Sequence, residues 1–264
     1  MPDEIQFRFS IQGLPDGEAL TGLEIKQKFL ETLDSKEGNC SDTLWSLAVL
    51  YQQTGHLDQA LGCIQRVIDL SDDPEKMGSG YLALGQLEES RGDYAAATKQ
   101  YGKALSLEPC SQETWYFIHN NLGYSLNQLN KHDSAVPYLE RALEIDPARP
   151  NAYKNLGLAQ EALGELAKAA ELFILATRVD AADSRSLNHL LAMMESNPAL
   201  EVDIPDLRTR VEACQKAVEA AKSQQPDFEA HWASLREKQR PKWWQFWKRR
   251  PLTNRNLQDV VPNT

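Results

Sequence analysis

From about residue 41 onward, apolar positions recur at intervals of three and four, the spacing of a helix with one buried face. Leu44, Leu47, Ala48 and Tyr51 form one such set; Leu187, Leu190, Leu191 and Met194 form another. The stretch Ile5-Gln6-Phe7-Arg8-Phe9-Ser10-Ile11 alternates with period two instead, which is a strand signal. No other segment offers it a convincing partner, and an isolated strand is not stable in water. Two readings of it stay open: a loose or locally docked terminus, or an extended segment that pairs with another chain or lies along the helices.

The helical pattern repeats. Tyr81-Leu82-Ala83-Leu84-Gly85, His119-Asn120-Asn121-Leu122-Gly123 and Tyr153-Lys154-Asn155-Leu156-Gly157 superpose. Behind each Gly come a loop residue (Gly92, Asn130, Gly164), an Ala (Ala97, Ala135, Ala169), a large apolar residue (Tyr101, Leu139, Phe173) and a second Ala (Ala104, Ala142, Ala176). Pro109 and Pro147 close two of these units, and Ala181 takes that place in the third. A weaker copy upstream uses Leu44, Leu47, Ala48, Tyr51, Gly55, Ala60, Ile64 and Val67. The spacings from Ala48 through Gly85, Gly123 and Gly157 are 37, 38 and 34 residues. Ser71 to Lys76 reads as a lengthened turn, and Ser111 to Trp115 as about one added helical turn.

This pattern resembles the tetratricopeptide repeat (TPR), a helix–turn–helix unit of 34 residues. The resemblance implies an all-α fold, an α-solenoid in the form of a right-handed superhelix of TPR units at about 41–74, 78–111, 112–149 and 150–183, with flanking capping helices. Residues 1–40 would form an extended segment and a capping helix, 184–240 the C-terminal capping helices, and 241–264 a flexible tail. Gly85, Gly123 and Gly157 are expected where the two helices of a unit approach closely, faced by Ala97, Ala135 and Ala169. Tyr101, Leu139 and Phe173 are expected to fill the space toward the neighbouring unit. Gly92, Asn130 and Gly164 suit a left-handed helix end. One hairpin cannot bury its apolar face alone, so stability should come from stacking neighbours.

Around this array, Leu20, Leu23, Phe29, Leu30 and Leu33 mark a helix over 17–37. Asp183 or Ser184 would cap a helix running to Glu195, broken by Asn197-Pro198. Pro205 opens a further helix whose stripe of Leu207, Val211, Cys214, Val218 and Ala221 has heptad-like intervals. That stripe either packs on the last repeat or forms the seam of a homodimer. Phe228, Trp232 and Leu235 form a short last stripe.

Composition narrows the function classes. The 264 residues carry a net charge of −10, which argues against nucleic-acid binding over the whole surface. No apolar run approaches the ~20 residues of a membrane span. Met1-Pro2-Asp3-Glu4-Ile5 is not a secretory signal, so a cytoplasmic location is expected, with the inner face of a membrane as a second place of residence. Cys40, Cys63, Cys110 and Cys214 are scattered without zinc spacing and read as buried or partly buried thiols in a reducing compartment. No phosphate-binding, metalloprotease or nucleophile-elbow motif occurs, and His56, His119, His132, His189 and His231 form no catalytic set. Neither a cofactor nor an enzymatic activity is expected.

The resemblance makes the inner face of the first helices the binding surface. Its candidate residues are Trp45, Val49, Gln86, Asn120, Asn121, Tyr124, Asn127, Asn151, Lys154, Asn155 and Leu158. Amides both donate and accept hydrogen bonds, so a row of them suits an extended peptide backbone, with Trp45, Phe117 and Tyr124 for apolar contact. The same amides can instead cap or solvate the helix surface. A clamp for a peptide C-terminus is doubtful, because no Arg occupies these positions. A second candidate is the segment Lys242, Trp243, Trp244, Phe246, Trp247, Lys248, Arg249 and Arg250. Residues 236–250 carry +6 and the rest of the chain −16. Trp with Lys and Arg suits an anionic lipid interface, docking on an acidic protein surface or stacking on single-stranded nucleic acid.

Overall fold

A computed structural model describes residues 27, 28, 31, 41–108 and 111–224. The chain divides into two compact parts, residues 1–218 and 219–264. All packing below lies in the first; the described portion of the second, residues 219–224, is the end of the last helix. The expected strand at 5–11, most of the helix expected over 17–37, Cys40, Cys110, the stripe from Phe228 and the whole aromatic-basic tail lie outside the described residues. Gln27, Lys28 and Glu31 are helical, and Tyr51 donates a hydrogen bond of 2.6 Å to Glu31.

The described residues are all-α, an α-solenoid of antiparallel helix pairs. Pair 1 is α1 (Ser41–Gln53) and α2 (Leu57–Asp69); pair 2 is α3 (Pro74–Ser90) and α4 (Tyr94–Ser106). Pair 3 is α5 (Gln112–Gln128) and α6 (His132–Ile145); pair 4 is α7 (Pro150–Ala162) and α8 (Leu166–Val179). Then come α9 (Arg185–Ser196), the single turn α10 (Leu200–Asp203) and α11 (Leu207–Gln224). Helices touch in chain order, and first helices also touch each other, α3 with α5 and α5 with α7.

The turn inside each pair is built the same way. Gly92 has φ +79° and Asn130 φ +56°, the left-handed backbone that ends a helix. There Gly92 N–H donates to Glu89 and Asp93 N–H to Glu88; Asn130 and Lys131 repeat the two bonds on Asn127 and Leu126. The surplus residues of pairs 2 and 3 are helix. Pro74 to Lys76 belong to α3, capped by Asp73 on Glu75 N–H at 3.0 Å, so the expected lengthened turn is instead an early helix start. Ser111 caps α5 on Thr114 N–H at 3.2 Å. Pair 4 ends without a proline because Asp180 accepts from Ala182 N–H at 2.9 Å, as Asp146 accepts from Ala148 at 3.0 Å.

One packing expectation needs correction. The nearest atoms to a Cβ built on Gly85, Gly123 and Gly157 belong to Tyr101, Leu139 and Phe173, at 2.2, 2.4 and 2.7 Å. The bulky residue of the same pair, not the small Ala, covers each glycine. The glycine is there because any side chain would displace a fully buried one.

The end of the array is sealed internally. Leu207, Val211, Cys214 and Val218 of α11 are buried in one cluster with Phe173 and Ile174 of α8 and Leu187, Leu190 and Met193 of α9. The stripe that would have offered a dimer seam is therefore used within the chain. Asp183, rather than the Ser184 side chain, starts α9: its carboxylate accepts from Arg185 N–H at 3.0 Å. Among the described residues, no helix is long and apolar enough to cross a membrane.

Candidate functional site

The candidate face is lined by α1, α3, α5, α7 and the start of α9. Trp45 and Val49 of α1 are 37% and 49% exposed, unusual for large apolar side chains. Gln86 of α3 and Asn151 of α7 are exposed; Asn121 and Tyr124 of α5 and Lys154 and Leu158 of α7 are half-buried. These eight can be reached from solvent.

Asn120, Asn127 and Asn155 cannot. Each is at least 92% buried. Asn155 Nδ2 donates to Asn120 Oδ1 at 3.1 Å, and Asn127 Nδ2 donates to the Asn155 backbone carbonyl at 2.8 Å. Asn120 Nδ2 donates in turn to Asn121 Oδ1 at 3.0 Å. Buried amides must be satisfied internally, and these stitch α5 to α7. They lie on the first helices, with their amides turned to neighbouring helices rather than to solvent.

Where α5, α7 and α9 begin, an open cleft of about 660 Å³ lies between Phe117, Arg149, Asn151, Asp180, Asp183 and Arg185. Arg149 is held by Asp146 at 2.7 Å and Glu113 at 3.1 Å, and its guanidinium lies 4.8 Å from the Phe117 ring centre. Arg185 is gripped by both oxygens of Asp183, at 2.6 to 2.9 Å. That grip drives the Asp183 carboxyl down to about 2, against the opposing effect of burial. Lys154 has no ion pair among the described residues. Burial, and then the nearby Arg185, push its pKa down, and Asp183 only partly offsets them. Arg149 and Arg185 are the basic residues that inspection of inner helix positions missed. They stand beside the connections between pairs, just before Pro150 and just after Ser184.

A second polar cluster sits between pairs 2 and 3. Ser125 Oγ donates to Glu89 Oε1 at 2.6 Å. Burial raises the Glu89 pKa, and the Ser125 bond opposes that rise. Tyr94 and Tyr124 meet edge to face beside it, ring centres 6.0 Å apart. Burial first, then Tyr94 and Glu89, push the Tyr124 phenol up to about 12. The fully buried Tyr101 hydroxyl lies close to Glu89 and Asn121, and its interaction with Glu89 joins the Ser125 bond in opposing the rise of the Glu89 pKa. Among the described residues no group of three or more His, Cys, Asp or Glu is placed to hold a metal ion.

These features define an interaction scaffold of the helical-repeat class. Tetratricopeptide repeat family models match residues 43–78, 79–109 and 116–148, and these residues are tetratricopeptide repeats. It is 34% identical over 110 residues to small glutamine-rich tetratricopeptide repeat-containing protein 2 of Mycosarcoma maydis, covering 42% of this chain and 30% of that protein. It is 31% identical over 93 residues to photosystem I assembly protein Ycf3 of Cuscuta gronovii, covering 35% of this chain and 55% of that protein. The chain thus spans 30% of the length of the first of these relatives and about half of the second. In fold it is similar to MamA from Desulfovibrio magneticus RS-1, with a TM-score of 0.55 and 24% identity over 70% of this chain and 97% of that one. It is likewise similar to YrrB, described as a TPR protein with an unusual peptide-binding site, with a TM-score of 0.53 and 20% identity over 75% and 99% of the two chains.

Proposed function

We propose that this protein is a non-enzymatic cytoplasmic adaptor that holds an extended segment of a partner protein across α3, α5, α7 and the start of α9. The observation that carries the reading is the open cleft at the starts of α5, α7 and α9, with exposed Asn151 in its lining and Lys154 in no ion pair among the described residues. Asn151 suits a peptide backbone, Phe117 an apolar side chain and Lys154 a carboxylate. The similarity to YrrB, itself described as binding peptide, lends support. The test is replacement of Tyr124, Asn151 and Lys154 together by Ala, followed by crosslinking and mass spectrometry in the native host. Partner crosslinks should map to this face and disappear in the triple variant. An unchanged partner set with an intact helical spectrum rejects the assignment.

A second reading rests on residues 236–250, with +6 of charge and three tryptophans. This segment would hold the protein at an anionic membrane surface, each basic residue contributing about 1 kcal/mol near the lipid. Vesicle co-sedimentation of the full chain against one ending at Gln239 tests it; equal sedimentation removes it.

A further inference from the structure

We propose that Glu89, with Tyr124 close by, is the seat for a lysine or arginine side chain of the bound segment. This deepens the groove reading above and rests on it.

Glu89 stands near the end of α3 and reaches toward α5. A carboxylate offers about four acceptor positions on two oxygens. Ser125 uses one of them, and no cation among the described residues pairs with Glu89. Carboxylates elsewhere in the array differ. Asp183 has Arg185, Glu113 has Arg149 and Glu171 has Arg210. Glu75, also without a cation, spends both oxygens, on Ser111 N–H at 3.1 Å and the Thr114 hydroxyl at 2.9 Å. A half-buried carboxylate without a counter-charge is costly, and the upward push on its pKa is the visible sign of that cost.

Nor does the negative charge serve the fold. Accepting a hydrogen bond from Ser125 needs only a carbonyl oxygen, which glutamine would supply. At the corresponding place in the next pair, Asn127 links α5 to α7 with a neutral amide. What surrounds Glu89 suits a cation. Tyr124 is near enough to feel its charge, with Tyr94 edge to face on Tyr124, and ring faces attract ammonium and guanidinium groups. The buried Tyr101 hydroxyl next to it is neutral and brings no positive charge. A basic side chain entering from the groove would bring the missing charge to Glu89 and close against the Tyr124 ring.

The test is selection of a phage-displayed random dodecapeptide library on the full chain, as wild type, Glu89→Gln and Glu89→Lys. The wild-type pool should enrich Lys or Arg at one position. The Glu89→Gln pool should lose that enrichment while still yielding binders. A synthetic peptide from the wild-type pool should bind Glu89→Gln about tenfold or more weakly, the scale of a hydrogen bond to a charged group. Glu89→Lys should enrich Asp or Glu at that position. Glu89→Gln keeps an acceptor for Ser125, so its helical spectrum and melting temperature should match wild type, and it decides alone if Glu89→Lys fails to fold. Basic enrichment that is absent from the wild-type pool, or survives in Glu89→Gln, overturns the seat and leaves the groove reading standing. If no selected peptide loses binding in the Tyr124, Asn151 and Lys154 triple variant, both fall.

Discussion

The junctions on either side of pair 3 use the same positions with different chemistry. At the junction between pairs 2 and 3, Glu89 reaches from α3 to the Ser125 hydroxyl of α5. At the junction between pairs 3 and 4, Asn127 holds that place and reaches from α5 to the Asn155 carbonyl of α7. A few residues earlier the contrast recurs. Asn120 accepts from Asn155 across the second junction, whereas the corresponding residue of α3, Leu82, offers Asn121 no acceptor. Asn121 turns to its neighbour Asn120 and stays half-exposed; Asn155 is buried. At the helix starts, Glu75 takes Ser111 and Thr114, and Glu113 takes Arg149. A repeat thus fixes which positions meet across a junction. The residues placed there decide whether the polar capacity is consumed inside, as in the amide set, or left over for a ligand, as at Glu89.

The interiors of the pairs are the shared background of this comparison, and lesions there should have the largest effect. Gly85→Ala and Gly157→Ala each drive a methyl group into a fully buried ring and should cost about 3 kcal/mol, seen as a lower midpoint of thermal unfolding. The two should hurt alike although they flank different junctions. Pair 1 shows the compensation: Ala48 holds the glycine's place and the smaller Ile64 the bulky one. Gly85→Ala combined with Tyr101→Leu should therefore regain part of the loss. Additive losses would break the assignment of that contact.

Between the junctions themselves, the sharpest contrast is one amide against its counterpart. Asn155→Ala strands the buried Asn120 carbonyl oxygen and should destabilise by about 2 kcal/mol. Asn121→Ala also takes an acceptor from Asn120, its side-chain N–H, but at a half-exposed site that water can reach, and should cost less, about 1 kcal/mol. Denaturant titration of the two variants separates them. Equal losses would mean that the two junctions are stitched alike.

Much of this architecture was legible in the sequence. Helical periodicity marks one buried face per helix, and Gly92, Asn130 and Gly164 announce a backbone that few other residues adopt. Burial of Asn155 was not legible, because it depends on whether residue 120, on a different helix, offers an acceptor. Nor was the partner of each glycine, since Ala97 and Tyr101 lie one turn apart on the same face and only the depth of packing chooses between them. Arg149 and Arg185 escaped notice because a search of inner helix positions passes over the connections between pairs. The cleft consequently shares only Phe117 and Asn151 with the residues expected to bind.

Titration sharpens the comparison further, since α5 carries a second buried titratable group of opposite sense. His119 stacks on Trp115 with ring centres 5.3 Å apart, and its Nδ1 is buried without a partner. Burial first, and Arg141 second, lower its pKa from 6.5 to about 4. A depressed histidine contributes stability above its ordinary value that is lost as pH falls toward the lowered one. The wild-type midpoint should fall between pH 6.5 and 4 more steeply than that of His119→Phe, which keeps the stacking and cannot charge.

Glu89 works in the other direction, and more weakly. Burial raises its pKa, so the fold favours the protonated acid. Its contribution is fully present below the ordinary glutamate value and is lost as pH climbs through the raised one. The junction between pairs 2 and 3 should therefore tighten slightly on mild acidification, while the junction made by the neutral Asn127 should not respond. Amide hydrogen exchange at the end of α3 and along the middle of α5, corrected for the intrinsic effect of pH, reads this directly in a His119→Phe background. Protection should rise as pH falls toward the ordinary glutamate value, and Glu89→Gln should flatten that rise. A rise that persists in Glu89→Gln would assign the titration elsewhere and leave the two junctions equivalent in charge. A bound basic side chain should act against the same trend, because pairing with a cation favours the ionised carboxylate. Adding a selected Lys- or Arg-bearing peptide should therefore shift the protection change to lower pH.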